Sequence, residues 1–98
     1  MLKHIVGWSF IEEFTLEKNL ENAVKIKADL ESLNGKIRGL VDIKVSMRML
    51  SCGTDIVLDS TFANEEALIA YQQNEEHKKV AVFINSVTQN KKILDYYI

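Results

Sequence analysis

The stretch VDIKVSMRM, from Val41 to Met49, decides the fold, because apolar and polar side chains alternate along its whole length. This period of two is typical of a β-strand with one buried face. Asp55–Phe62 is a second strand candidate, with Ile56, Leu58, Ser60 and Phe62 on one face. Ser51-Cys52-Gly53 lies between the two segments and is typical of a turn. Together they predict a β-hairpin with one of the longer loops.

Upstream of the hairpin, the sequence predicts a strand followed by a helix. Lys3–Ile11 alternates and places one set of side chains on the same face: His4, Val6, Trp8 and Phe10. Leu16–Leu33 has the spacing of an amphipathic helix, with a predicted apolar face of Leu16, Leu20, Ala23, Val24, Leu30 and Leu33. Asn34-Gly35 follows as a helix stop, because glycine adopts the left-handed cap conformation at little cost.

Downstream of the hairpin, the sequence predicts a helix and a last strand. Asn64 is a suitable N-cap residue, and the two glutamates that follow it complement the positive end of a helix dipole. The helical pattern breaks near Asn74 and resumes from His77 to Ile84. Lys91–Ile98 then alternates again, which indicates the final strand.

The order β-α-β-β-α-β over residues 1–98 predicts a single α+β domain. It is the ferredoxin-like arrangement of an antiparallel sheet with helices on one face. The uncovered face would carry apolar and charged side chains together: Ile5, Val57, Leu94, Tyr96 and Ile98 with Asp42, Lys44, Asp55 and Asp59. A contiguous apolar patch on an uncovered sheet marks an interface, and a two-fold axis would make it self-complementary. We therefore expect a homodimer.

Composition argues against several classes of partner. The chain of 98 residues has a net charge of −2, with lysines and glutamates interspersed. It has neither the basic stripe that nucleic acid needs nor the about 20 apolar residues of a membrane span, so we expect neither partner. The single cysteine, Cys52, and a start without a signal-peptide pattern are typical of a cytoplasmic protein. Zinc-type ligand spacing and glycine-rich phosphate loops do not occur, which predicts no metal and no cofactor.

Several stretches resemble one family in their order and spacing. They are Lys3-His4-Ile5-Val6, Gly35-Lys36-Ile37-Arg38-Gly39-Leu40, Asp55-Ile56-Val57-Leu58, Glu66-Ala67-Leu68 with Tyr71 and His77, and Asp95-Tyr96. Jointly they resemble the stress-responsive α/β-barrel (Dabb) domain over essentially the whole chain. The resemblance implies a dimeric α/β barrel of two ferredoxin-like units. The chain departs from the family pattern at Arg38, where proline is usual, and at Asn74-Glu75, where a histidine-proline pair is usual.

The resemblance implies more than one function. Many family members have no assigned activity, and at least one plant member is a cofactor-free polyketide cyclase. Related dimeric barrels include small monooxygenases that also lack a cofactor, and the fold does not decide among these functions. We predict a homodimeric protein that binds a small apolar ligand between sheet and helices, with no defined activity. The alternative is a cofactor-independent cyclase, lyase or monooxygenase that uses His77 and Tyr71.

Four residues are candidates for chemistry: His4, Tyr71, His77 and Asp95. The resemblance places the first three at pocket-lining positions and Asp95 as the carboxylate beside the histidine. Histidine, with an ordinary pKa of about 6.5, exchanges a proton near neutral pH, and a carboxylate fixes its tautomer. A tyrosine hydroxyl can stabilise a developing enolate oxygen. We expect the ligand-binding surface to be apolar and to include Val6, Trp8, Val24, Ile43, Leu58, Val80 and Ile93.

Each of these residues also has a purely structural interpretation. His77 and Asp95 could form a buried hydrogen-bonded pair that ties the second helix to the last strand. Tyr71 could be a core aromatic residue whose hydroxyl reaches the surface, and His4 could be a core histidine with satisfied hydrogen bonds. The sequence therefore predicts either a reactive site or a polar part of the core.

Overall fold

The computed structural model describes residues 1–47 and 53–98. Its elements, in chain order, are β1 (Leu2–Phe10), α1 (Leu16–Glu31), β2 (Leu40–Ser46), β3 (Ile56–Phe62), α2 (Glu65–Gln73), α3 (Glu75–Val87) and β4 (Thr88–Tyr97). The strands form one antiparallel sheet in the order β2-β3-β1-β4. The predicted ferredoxin-like order is confirmed. The predicted hairpin residues Arg48, Met49, Ser51 and Cys52 lie outside the described residues.

Side-chain caps explain where the helices begin. Thr15 accepts a hydrogen bond from the backbone N–H of Lys18 at the start of α1. Asn64 does the same for Ala67 at the start of α2, as predicted. Asn74 has an extended backbone and caps the start of α3 through its side chain, so the predicted break near this residue is confirmed.

The buried face of α1 differs from the prediction. The buried side chains of α1 are Asn19, Asn22, Ala23, Ile26 and Leu30. Leu16, Leu20 and Val24 are exposed. Their spacing of four residues moves each step about 40° around a helix of 3.6 residues per turn, and the whole row lies away from the buried side of the helix. Two of the buried positions are asparagines, so the pattern of apolar residues does not reveal them.

One edge of the sheet is blocked by a pair of side chains from α1. Lys27 Nζ donates a hydrogen bond to the backbone oxygen of Val45 at 2.7 Å, and the backbone N–H of Val45 donates to Glu31 Oε2 at 3.0 Å. Lys27 and Glu31 also form an ion pair with each other at 2.6 Å. Two backbone groups at the free edge of β2 are therefore already hydrogen-bonded, which discourages pairing with a strand of another molecule.

The other face of the sheet carries no helix in the described chain. Ile5 and Val57 are half-buried there, while Leu94 and Tyr96 on β4 are 59% and 43% exposed. Lys3 and Asp59 form an ion pair on the same face. The predicted mixture of apolar and charged residues on an uncovered sheet is therefore what the single chain presents.

Candidate functional site

A cavity lies between the helix-covered face of the sheet and the helices. Its volume is about 90 Å³ and it is partly open to solvent. Ligand sites for drug-sized molecules typically span about 300–1,000 Å³, so this cavity holds a much smaller group. The lining residues are His4, Val6, Trp8, Leu30, Leu58, Tyr71, Gln72, His77, Ala81, Ile84, Asn85, Lys91 and Ile93.

A histidine–carboxylate pair links the two strands under the cavity. His4 on β1 and Asp95 on β4 are directly paired in the antiparallel register. His4 Nδ1 and Asp95 Oδ1 lie 2.5 Å apart, with the histidine side chain 6% exposed and the aspartate side chain 39% exposed. Since an ionised carboxylate only accepts hydrogen bonds, the Nδ1–H of His4 donates and its Nε2 is left available.

The predicted structural pairing of Asp95 with His77 is wrong, because the partner of this carboxylate is His4. Antiparallel strand pairing brings His4 and Asp95 side by side on one sheet face. His77 belongs to α3, and its Nδ1 is buried without a hydrogen-bond partner among the described residues.

Tyr71 and His77 lie on opposite sides of the break between α2 and α3 and meet at the cavity. Their ring centroids are 4.1 Å apart. Tyr71 also packs on Phe62 at 5.0 Å and approaches the ring of His4 at 6.4 Å. The change in chain direction at Asn74 therefore brings two aromatic side chains to one wall of the cavity. The rings of the three candidate residues, His4, Tyr71 and His77, therefore lie close together.

Three side chains that line the cavity each carry a buried polar atom without a hydrogen-bond partner within the described chain. These atoms are Trp8 Nε1, Tyr71 Oη and His77 Nδ1. Roughly nine in ten buried polar groups in native structures have a partner. Tyr71 is only 1% exposed, so its hydroxyl does not reach the surface as the structural interpretation expected. The cavity therefore concentrates unused hydrogen-bonding capacity.

Burial sets the protonation of these groups. It raises the pKa of Tyr71, which keeps the phenol protonated and able to donate at neutral pH. Burial also lowers the pKa of His77. A hydrogen bond with the backbone of Gln72 opposes part of this shift, while the charge of Lys91 and the nearby His4 add to it. At neutral pH the imidazole of His77 is therefore mainly uncharged.

The structure places some of the predicted lining residues at the cavity and others elsewhere. Val6, Trp8, Leu58 and Ile93 line it. Three others do not, namely Val24, Ile43 and Val80. Val24 is exposed on α1, and Val80 faces a groove between α1 and α3. Ile43 is buried on β2, which β3 separates from β1 and the cavity.

Three polar residues that line the cavity were not predicted from the sequence: Gln72, Asn85 and Lys91. All three are exposed, so they form its mouth. Gln72 and Asn85 belong to α2 and α3, and each is one residue from an apolar position of its helix. Lys91 lies two residues before Ile93 on β4, and this period of two was the signal that could have found it.

The arrangement supports binding of an oxygen-containing group and acid–base chemistry. The interior offers a tyrosine hydroxyl and an indole N–H as donors, and His4 Nε2 as an acceptor. Among residues 1–47 and 53–98, no group of three or more His, Cys, Asp or Glu side chains is placed to hold a metal ion. No helix in the described ranges is long and apolar enough to cross a membrane.

The fold and this cavity define a class of protein, the small ferredoxin-like domains with a pocket between sheet and helices. The chain belongs to the stress responsive A/B barrel domain family, which matches it over residues 2–98. The resemblance seen in the sequence is thereby confirmed. No curated protein matches the chain.

Solved structures share the fold at low sequence identity. A dimeric ferredoxin-like protein of unknown function from Bacteroides fragilis has a TM-score of 0.91 at 24% identity, covering 99% of this chain and 95% of its own. A dimeric ferredoxin-like protein of unknown function from Jannaschia has a TM-score of 0.83 at 18% identity, covering 99% and 98%. A hydroxynitrile lyase from Passiflora edulis has a TM-score of 0.79 at 16% identity, covering 99% and 92%. At these identities the likeness shows the fold alone.

Proposed function

We propose that this protein is a homodimeric ligand-binding domain whose cavity takes a small, mainly apolar molecule with one hydrogen-bonding oxygen. The observation that carries the proposal is a set of three buried polar atoms on one cavity that have no hydrogen-bond partner in the part of the chain that the structure describes: Trp8 Nε1, Tyr71 Oη and His77 Nδ1. An unsatisfied buried polar group costs about 1–3 kcal/mol, and a bound oxygen atom would remove much of this cost.

The rest of the cavity supports an apolar ligand body. Val6 and Leu58 line its floor from the sheet, and Ile84 lines it from α3; all three are buried. A volume of about 90 Å³ is the space of roughly three water molecules, so the ligand, or the part of it that enters, is short.

The dimer part of the proposal rests on the uncovered sheet face. Leu94 and Tyr96 present apolar surface there that the single chain leaves in water. The neighbours from Bacteroides fragilis and Jannaschia are dimeric and share the fold. A cytoplasmic location, and the expectation that neither nucleic acid nor membrane is a partner, stay predictions from composition.

The ligand site is tested by nuclear magnetic resonance titration of the ¹⁵N-labelled protein with 2-butanone and with butyramide. We expect the shifted signals to come from cavity residues and from the indole N–H of Trp8, which is the only tryptophan. Tyr71→Phe should weaken binding several-fold, while Tyr96→Phe on the uncovered sheet face is the matched control. Shifts scattered over the surface, or equal affinity of both variants, would contradict the proposal.

A second candidate function, cofactor-free acid–base catalysis, is favoured by the pair of His4 and Asp95. Asp95 holds His4 in the tautomer whose Nε2 can accept a proton, and His4 lines the same cavity as the donor Tyr71. His4 would take the proton next to a carbonyl group, Tyr71 would donate a hydrogen bond to the enolate oxygen, and the proton would return to carbon. A hydroxynitrile lyase occurs among the proteins with this fold.

The enzyme hypothesis predicts exchange of the α-protons of 2-butanone for deuterium in D₂O, followed by proton spectra. His4→Gln should lower the protein-dependent exchange rate by about 10²–10⁴-fold, the usual contribution of a general base. His77→Gln is the comparison, with a smaller expected loss because His77 lacks the carboxylate. Exchange no faster than in buffer would remove this candidate and leave the binding proposal standing.

A further inference from the structure

We propose that the cavity selects short-chain carboxylates and that Lys91 is the residue that recognises the negative charge. This inference rests on the proposed ligand site and adds the class of ligand to it. Three observations support it: the position and charge of Lys91, the absence of acidic residues from the described lining, and the size of the cavity.

Lys91 supplies a positive charge that the described protein does not use. Its side chain lines the cavity at the exposed mouth, on the same face of β4 as Ile93. It takes part in no ion pair between described residues. Its positive charge nevertheless acts on the cavity wall, since it contributes to the lowered pKa of His77. An anion at the mouth would pair with it.

The described lining contains no competing negative charge. None of the thirteen described residues that line the cavity is Asp or Glu. The neighbouring carboxylate, Asp95, is already bound to His4 and does not line the cavity. The apolar floor below Lys91 also lowers the local dielectric, which strengthens a pairing between an ammonium and a carboxylate compared with one in open water.

The size of the cavity limits the length of the acid. About 90 Å³ accommodates an acyl chain of roughly three or four carbon atoms, with the carboxylate left at the mouth beside Lys91. In this arrangement one carboxylate oxygen pairs with Lys91 and the other faces the cavity wall with the unpartnered buried atoms of the described chain, while the apolar end lies against Val6 and Leu58. Longer or branched acids would extend through the mouth into solvent.

The test compares butyrate with butyramide, which have the same shape and differ in charge. Both are titrated into the ¹⁵N-labelled protein at pH 7 and low salt, up to about 50 mM because such small ligands bind weakly. We expect butyrate to bind about tenfold more tightly and this preference to shrink in 0.5 M NaCl, where the Debye length falls to about 4 Å. Lys91→Met should bring the two affinities within about twofold, and Lys91→Arg should keep the preference.

Lys36→Met is the control for the change in net charge, because Lys36 is exposed in the loop before β2 and does not line the cavity. Equal affinities in the unaltered protein, or a preference that survives Lys91→Met, would overturn this inference while leaving the ligand site intact. If neither compound shifts the signals of lining residues, the ligand site itself fails and this inference with it.

Discussion

His4 Nδ1 and Asp95 Oδ1 lie 2.5 Å apart although 91 positions separate the two residues in the chain. The register between β1 and β4 pairs them directly, so the hydrogen bond is a consequence of strand pairing. The pair joins the first and last strands beside a cavity that His4 also lines. It therefore has both a structural and a chemical consequence, and the two can be separated by experiment.

Asp95→Asn should lower the free energy of unfolding by about 1 kcal/mol, because a charge-assisted hydrogen bond becomes a neutral one. Urea denaturation followed by circular dichroism measures the change. Asp59→Asn is the control, since Asp59 pairs with Lys3 at a more exposed position, where such pairs contribute about 0–1 kcal/mol. Equal losses of unfolding free energy in both variants would show that burial of His4 does not strengthen its hydrogen bond with Asp95.

Tyr71→Phe should change the free energy of unfolding by less than about 0.5 kcal/mol, whereas Tyr71→Ala should cost about 3–5 kcal/mol. The hydroxyl has no partner among the described residues, so its removal breaks no hydrogen bond, while loss of the ring empties a fully buried volume. Thermal and urea denaturation of the two variants give the comparison. A large loss in Tyr71→Phe would indicate a hydrogen bond that the structure does not show.

His77 should titrate below its ordinary pKa of about 6.5, because burial disfavours the imidazolium. The unfolded chain then binds a proton at a higher pH than the native one, so the native state loses stability as the pH falls from about 6.5 through the native pKa. The ring-proton shifts of the two histidines, followed with pH, report the midpoint. A midpoint at or above 6.5 for His77 would contradict the burial argument.

Glu31→Ala should destabilise the protein by about 1–2 kcal/mol and promote association through the edge of β2. Burial raises the pKa of Glu31, but hydrogen bonds from Lys27 and from the N–H of Val45, with the charges of Lys27 and Lys44, lower it overall. Glu21→Ala on the same helix is the control, because its contact with Lys18 is longer, at 3.5 Å, and exposed. Denaturation and light scattering measure the two effects.

Leu94→Asp should convert the proposed dimer to a monomer without unfolding it. Leu94 is 59% exposed on the uncovered face, so the charge meets solvent in the single chain and would be buried unpaired between two subunits. Sedimentation at micromolar concentration gives the mass, and Val82→Asp on the exposed side of α3 is the control. A monomer before any substitution would end the dimer proposal.

The helices and strands were largely predictable because the signals that define them are local. The alternation around Val45 and the caps at Asn64 and Asn74 depend on residues within a few positions. The buried side of α1 was not, since Asn19 and Asn22 are buried although their polar side chains predict surface positions. Which side of a helix is buried depends on the surface it packs against.

The candidate site was likewise only partly predictable from the sequence. The family resemblance placed His4, Tyr71 and His77 together at pocket-lining positions, and their rings lie close together in the structure. The partner of Asp95 and the position of Lys91 at the mouth were not foreseen. Both depend on how β4 pairs with β1, which is an interaction between the two ends of the chain.

By itself, the sequence determined the order of the elements, the ferredoxin-like class and the set of titratable side chains, because periodicity and capping act over one or two helical turns. Only the tertiary structure decided that Asp95 pairs with His4 and that the cavity is small. It also decided that this cavity is lined by Trp8, Tyr71 and His77, each with a buried polar atom that has no partner among residues 1–47 and 53–98. These facts depend on strand register and on the packing of helices against a sheet, which join residues far apart in the chain and leave no local trace in it.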